Sequence, residues 1–141
     1  MILGQAQTTT FKLNLLKGLE NFFTGSPYVY KIALYNAQAE INSETTAYTT
    51  DHEITGTGYV AGGNALTPTV GSDTSNNTAY VTFANVTWSP ANFTAAGALI
   101  YNATTNASVA VLNFGGEKTA TTTFTIEFPA ATSTTAVLRI N

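Results

Sequence analysis

From Thr74 to Gly116 the chain carries no Asp, Glu, Lys, Arg or His. The apolar residues of that stretch come in short runs, TAYVTFANVTW, FTAAGALIYNA and ASVAVLNF, separated by Ser, Pro, Asn and Thr. None approaches the roughly 18 apolar residues that a membrane-spanning helix needs. Their β-branched and aromatic content, punctuated by turn residues, suits strands. The first run is predicted as one long strand, and the other two as a hairpin turning at Thr104, Thr105 and Asn106. A strand without charge still needs a wet outer face, and Thr supplies one through its hydroxyl on a β-branched frame. An all-β sandwich or barrel is therefore expected.

The flanks fit the same plan. YVYKIALYN alternates, with Tyr28, Tyr30, Ile32 and Leu34 on one face and Val29, Lys31, Ala33 and Tyr35 on the other. ITGTGYVAGGNALTPTV gives short strands broken by glycines, TTTFTIEFPA alternates through Phe124, Ile126 and Phe128, and AVLRIN adds a last strand. AEINSETTAYTTDHE is polar and is expected to be irregular. One helix is predicted, over about 10–24: Phe11, Leu15, Leu19 and Phe22 recur at helical spacing, Thr9 or Thr10 caps the start, and Gly25 with Pro27 ends it. Residues 1–9 form an N-terminal arm in this division, and residues 10–141 a single domain.

Charge narrows the function classes. Only 9% of residues are charged, against about 25% in an ordinary domain. The net charge is −3, and five Lys and Arg are spread along the whole chain. No phosphate-tracking stripe is present, so no nucleic-acid partner is expected. No membrane partner is expected either, because the helix has little positive charge on its polar side. With no cysteine there is no disulfide framework and no thiolate chemistry. MILGQAQTTTFK lacks the features of a secretory signal, which points to synthesis in a cytoplasm. The sequons at Asn76, Asn85, Asn92, Asn102 and Asn106 follow from Asn- and Thr-rich composition and need no glycan.

Catalytic groupings are hard to assemble. His52 is the sole histidine, flanked by Asp51 and Glu53 in TTDHEITG. Neighbours along an extended chain point to opposite faces, so these three do not form a triad by spacing. Glu40, Glu44, Asp51 and Glu53 lie in one irregular stretch, where a Ca²⁺ site or a carboxylate pair is conceivable, but no EF-hand spacing supports it. GTGYVAGG has no helix after it and no Lys-[ST] pair, so turn and bulge glycines explain it better than a phosphate loop. Trp88 could serve as a sugar platform, although a core position suits it better. No enzyme, cofactor or metal is expected.

Three blocks carry a resemblance: KIALYNAQAEINSETTAYTTDHEITGTGYVAGGNALT, VTFANVTWSPANFTAAGALIYN and ASVAVLNFGGEKTATTTFTIEFPA. Over roughly residues 10–141 the chain resembles small structural proteins of tailed bacteriophages, the capsid decoration or cement proteins. The resemblance implies a jelly-roll-like β-sandwich with one short N-terminal amphipathic helix, often a homodimer, bound to the major capsid protein on the outer surface of the virion. It implies no enzymatic role. Neutral sheet faces suit such packing, because burying a charge costs several kcal/mol unless it is well paired. The contact candidates are Met1, Ile2 and Leu3 of the arm, Phe11 and Leu15 of the helix, and Glu44, Asp51 and His52 of the polar stretch. The alternative is a receptor- or glycan-binding module of a tail fibre or baseplate.

Overall fold

The computed structural model describes residues 4–141. Its elements run β1 (Ala6–Gln7), α1 (Thr9–Leu16), β2 (Tyr30–Tyr35), β3 (Asn64–Ala65), β4 (Pro68–Asp73), β5 (Thr78–Phe83), β6 (Val86–Trp88), β7 (Phe93–Asn102), β8 (Ser108–Ala120), β9 (Phe124–Ile126) and β10 (Leu138–Ile140). Every pairing is antiparallel. The strands form a five-stranded sheet in the order β1-β8-β7-β2-β3, a three-stranded sheet β10-β5-β4, and a two-stranded sheet β6-β9. The architecture is an all-β sandwich with a single helix, as the strand pattern predicts. This strand order does not establish a jelly-roll winding.

The large sheet is buried on both faces along β2, β7 and the first four residues of β8. In register, Ile32, Ile100 and Ala110 point into the main core, as does Phe93 at the start of β7, and the core also takes Phe22, Phe83, Trp88 and Phe124 from the other strands and connections. One residue along, Ala33, Leu99 and Val111 point the other way into a second cluster. Ala39 and Ile41 are buried there and Tyr48 packs against them, so the irregular polar stretch covers that face. Most of β7 lacks charge because its side chains are inside on both sides. The docking explanation for charge-free strands therefore does not apply to β7. It can apply only to exposed segments, where cross-strand threonines keep the surface wet: Thr87 bonds Thr125 at 3.0 Å and Thr94 bonds Thr119 at 2.8 Å.

Several boundaries differ from expectation. The helix ends at Leu16, well before residue 24. Gly18 adopts φ 72, its N–H bonds the Leu15 carbonyl at 3.1 Å, and Leu19 N–H bonds the Asn14 carbonyl at 2.9 Å. That glycine-dependent pair of bonds closes the helix. The cap is Thr8, whose hydroxyl oxygen accepts from Phe11 N–H at 3.1 Å. The eight helical residues show almost no segregation of apolar from polar sides, so the helix is not the amphipathic one expected. Residues 6–9 are no arm, since β1 pairs with Val111 and Ala110 of β8. Met1, Ile2 and Leu3 lie outside the described residues. The long strand TAYVTFANVTW is two strands in different sheets, parted at Ala84–Asn85, where the Asn85 side chain accepts from Phe128 N–H at 2.9 Å. The expected hairpin is present. Asn102 Oδ1 accepts from the N–H groups of Thr104 (3.0 Å) and Thr105 (3.3 Å), and Asn106 takes φ 70.

Candidate functional site

The acidic stretch divides by burial. Glu40, Glu44 and Asp51 are exposed, while Glu53 is half-buried and fully engaged. Asn36 N–H bonds the His52 carbonyl and Ile54 N–H bonds the Leu34 carbonyl, both at 3.0 Å, which fixes this strand-like return beside β2. Glu53 then faces two phenols. Tyr48 Oη donates to Oε2 at 2.5 Å, Tyr59 Oη donates to Oε1 at 2.6 Å, and Gly62 N–H donates to Oε1 at 2.7 Å. Short bonds to an ionised acceptor are the strong kind.

Further tyrosines extend the network. Tyr59 Oη accepts from Leu34 N–H at 2.9 Å, Tyr101 Oη donates to the Gly62 carbonyl at 2.7 Å, and Tyr35 Oη donates to the Thr49 carbonyl at 2.6 Å. The rings of Tyr48 and Tyr101 stack at 4.6 Å. Burial, reinforced by the Glu53 charge, pushes the Tyr101 phenol up to about 12. Burial raises Tyr35, Tyr48 and Tyr59 further, and Glu53 adds to each. These phenols therefore act as donors and not as bases at ordinary pH. The arrangement is a clamp: it ties the covering stretch and the 59–62 turn to β2 and β7, and both carboxylate oxygens are occupied.

His52 and Asp51 sit outside the clamp. His52 is exposed on a turn with φ 64, and no hydrogen bond joins its side chain to either acidic neighbour among those the structure defines. A cavity of about 490 Å³ beside it is lined by Gln38, Glu40, Ile41, Thr49, Asp51 and His52. Among the described residues, no group of three His, Cys, Asp or Glu side chains is placed to hold a metal ion. No helix among them is long and apolar enough to cross a membrane. Trp88 is a core residue, packed edge-on to Phe93 and Phe124. Of the sequons, Asn102 is fully buried and donates through Nδ2 to Glu20 at 2.7 Å.

The helical end of the molecule is more exposed than its sequence suggests. Phe11, expected at a contact, is 2% exposed and belongs to the core, because the Thr8 cap turns it inward against Phe22. Leu15 is half-buried on the wall of a nearly all-apolar pocket of about 80 Å³, shared with Val70, Val81, Leu138 and Ile140. Leu13, Leu16, Leu19 and Phe23, which do not line it, are exposed, Leu16 by 88% and Phe23 by 71%. Leu13 and Leu16 lie on the outer side of α1, and beyond Gly18 the chain leaves the helical path, so that of residues 19–23 only Glu20 and Phe22 turn inward. Sequence reasoning missed the surface because it gave Leu19 and Phe22 one common stripe.

No family model, curated protein or solved structure matches the chain.

Proposed function

We propose that the protein is a structural, non-catalytic component of a bacteriophage virion, a capsid decoration protein that docks on the outside of the head shell and bridges major capsid subunits. The observation that carries the proposal is the apolar end, where Leu13, Leu16, Leu19 and Phe23 stand exposed on a chain with very little charge. Apolar groups grouped at one end of a domain favour burial against another protein. The sequence resemblance supports the major capsid protein as that partner. The clamp supports a rigid docking module, since Glu53 spends both oxygens holding the fold together. Glu44, Asp51 and His52 remain exposed and are available for rim contacts. The glycan-binding alternative loses its best candidate platform, because Trp88 is buried.

Binding to the folded shell would stabilise it by mass action, increasingly with occupancy. Purified protein mixed with shells lacking it should bind at fixed stoichiometry and raise their disruption temperature. Leu16→Asp and Phe23→Asp, both at exposed positions, should abolish binding and leave the fold intact. Absence of binding by the unmodified protein would sink the proposal.

A further inference from the structure

Between Gly18 (φ 72) and Gly25 (φ 90) the chain runs as a strap from α1 towards β2. Among the described residues, no backbone-to-backbone hydrogen bond joins 20–24 to the helix or to a strand. Three consecutive residues hold the strap down. Asn102 Nδ2, at the end of β7, donates to Glu20 Oε1 at 2.7 Å, and Asn21 N–H donates to Tyr30 Oη of β2 at 2.9 Å. The Phe22 ring stacks on Tyr30 at 4.3 Å and meets Phe11 and Phe83 edge-on. Glu20 is the weak member of the three. It is 8% exposed, and its Oε2 is buried with no hydrogen-bond partner. Its neighbours bring no compensating charge. From β2 the Tyr30 phenol faces it, with Tyr28 beside that phenol; burial and then the Glu20 charge raise Tyr30, so it stays neutral at ordinary pH. From β7 comes Asn102, which is uncharged. Lys17, on the strap's own side, is exposed, and among the described residues no Lys, Arg or His bonds either carboxylate oxygen.

We propose that Glu20 is a proton-operated latch: with its carboxyl neutral the strap lies closed on Tyr30, and on ionisation the strap opens between Gly18 and Gly25. An ionised carboxylate with one oxygen unpaired in the interior gains hydration by moving outward, whereas the neutral acid gives up far less by staying inside. The two glycines suit the hinges, because both hold positive φ in open space. Burial raises the Glu20 carboxyl above 4.5, outweighing the Asn102 bond. The closed strap therefore holds the proton more tightly than the open one. Closure is favoured below about 4.5 and weakens as pH rises through the closed-state value. Opening withdraws Phe22, which walls the apolar pocket of about 80 Å³ together with Phe11, Leu15 and Leu138. The pocket then widens towards Tyr30 and Phe83, and Leu19 and Phe23 move with the strap. That consequence for docking rests on the function proposed above, and the latch itself does not.

The test is amide exchange in the full chain and in Glu20→Gln, with each rate taken relative to an unstructured amide at the same pH. Gln keeps an oxygen for Asn102 and cannot ionise. Between about pH 4.5 and about pH 7.5 the Asn21 amide of the parent should lose about threefold or more protection relative to the variant. At the higher pH the Ile100 amide of β7 should remain about tenfold or more better protected than Asn21, because the strap opens without the sheet. The same pH profile at Asn21 in both proteins overturns the proposal. So does equal protection at Asn21 and Ile100, since the strap would then open only when the whole chain unfolds. No shell enters the measurement, so failure of the latch and failure of docking are separate results.

Discussion

Removing the Glu53 carboxylate should loosen the covering stretch and cost much of the fold's stability. Three donors converge on it at 2.5, 2.6 and 2.7 Å. A hydrogen bond to a charged group contributes about 1.5–3 kcal/mol, so three treated as independent would give roughly 4.5–9 kcal/mol. That sum is an upper bound. Tyr48, Tyr59 and Glu53 are half-buried, so water can reach part of the site once the side chain is truncated. Bonds to one acceptor are also not additive. Glu53→Ala is expected to cost about 3–5 kcal/mol. Against a typical total of about 5–15 kcal/mol, that would move the urea midpoint far down. Glu53→Gln keeps an oxygen for Tyr59 and Gly62, and the Tyr48 hydroxyl can rotate to accept from the new amide. Its cost should be about 1–2 kcal/mol.

The urea midpoint alone would not separate a clamp from generic damage, but a mutant cycle does. In the unmodified protein Tyr48→Phe and Tyr59→Phe each remove a donor to the carboxylate and should cost about 1–2 kcal/mol. In the Glu53→Ala background the same changes remove hydroxyls that have lost this acceptor, so they should cost close to nothing. The coupling should therefore be about 1 kcal/mol or more for each pair. A Glu53→Ala protein within about 0.5 kcal/mol of the parent, or tyrosine effects that do not depend on residue 53, would refute the clamp.

Two further outcomes follow from single residues. Glu20 is buried after the helix with Oε1 bonded to Asn102 and Oε2 unpartnered, and burial raises its carboxyl above the ordinary 4.5. The folded chain holds that proton more tightly than the unfolded chain does. Stability should therefore fall as pH rises from about 4.5, and the difference between the parent and Glu20→Gln should grow between about pH 4 and pH 7 in urea titrations; a flat difference would contradict this. At Gly63 an added Cβ would lie 1.7 Å from the Ile32 carbonyl oxygen and 2.6 Å from its carbon, in a backbone with φ 75. Gly63→Ala should cost about 4 kcal/mol or more by denaturation, whereas Gly115→Ala, with the similar φ of 77 and open space around it, should cost only about 1–2 kcal/mol.

What the sequence conveyed well was strand identity wherever a strand is long and its turn is marked. FTAAGALIYN is a near-continuous apolar run, the pattern of a strand buried on both faces, and Asn102 with Asn106 marks the turn that follows. Gly18 was an equally local stop signal for the helix, but the regular spacing from Phe11 to Phe22 outweighed it. The split at Ala84–Asn85 carries neither Gly nor Pro, and it depends on a bond from Asn85 to Phe128, far along the chain. Glu53 had the least local signature. It reads as one of four acids in a polar stretch, and only the fold brings Tyr48, Tyr59 and Gly62 around it. The tyrosines at 48 and 59, large amphipathic rings in an otherwise small and polar region, were the available hint.

The absence of charge from Thr74 to Gly116 thus has more than one cause. In β7 it reflects two-sided burial, where an ionised group would need a partner as well placed as those of Glu53. In β5 Ala79 is exposed and Tyr80 and Val81 are half-buried, and neutrality there is not demanded by the core. Tyr80 illustrates it: its ring lies against Gly71 of the paired strand, where a Cβ would come within 2.5 Å of the ring, so a smooth uncharged surface is built from a side chain that could have pointed into water. Such a surface costs little to desolvate, and it borders the pocket where Leu15, Val70 and Ile140 meet. Interior packing therefore accounts for the middle of the charge-free run, and the outward strands beside the helix are where its docking consequence remains.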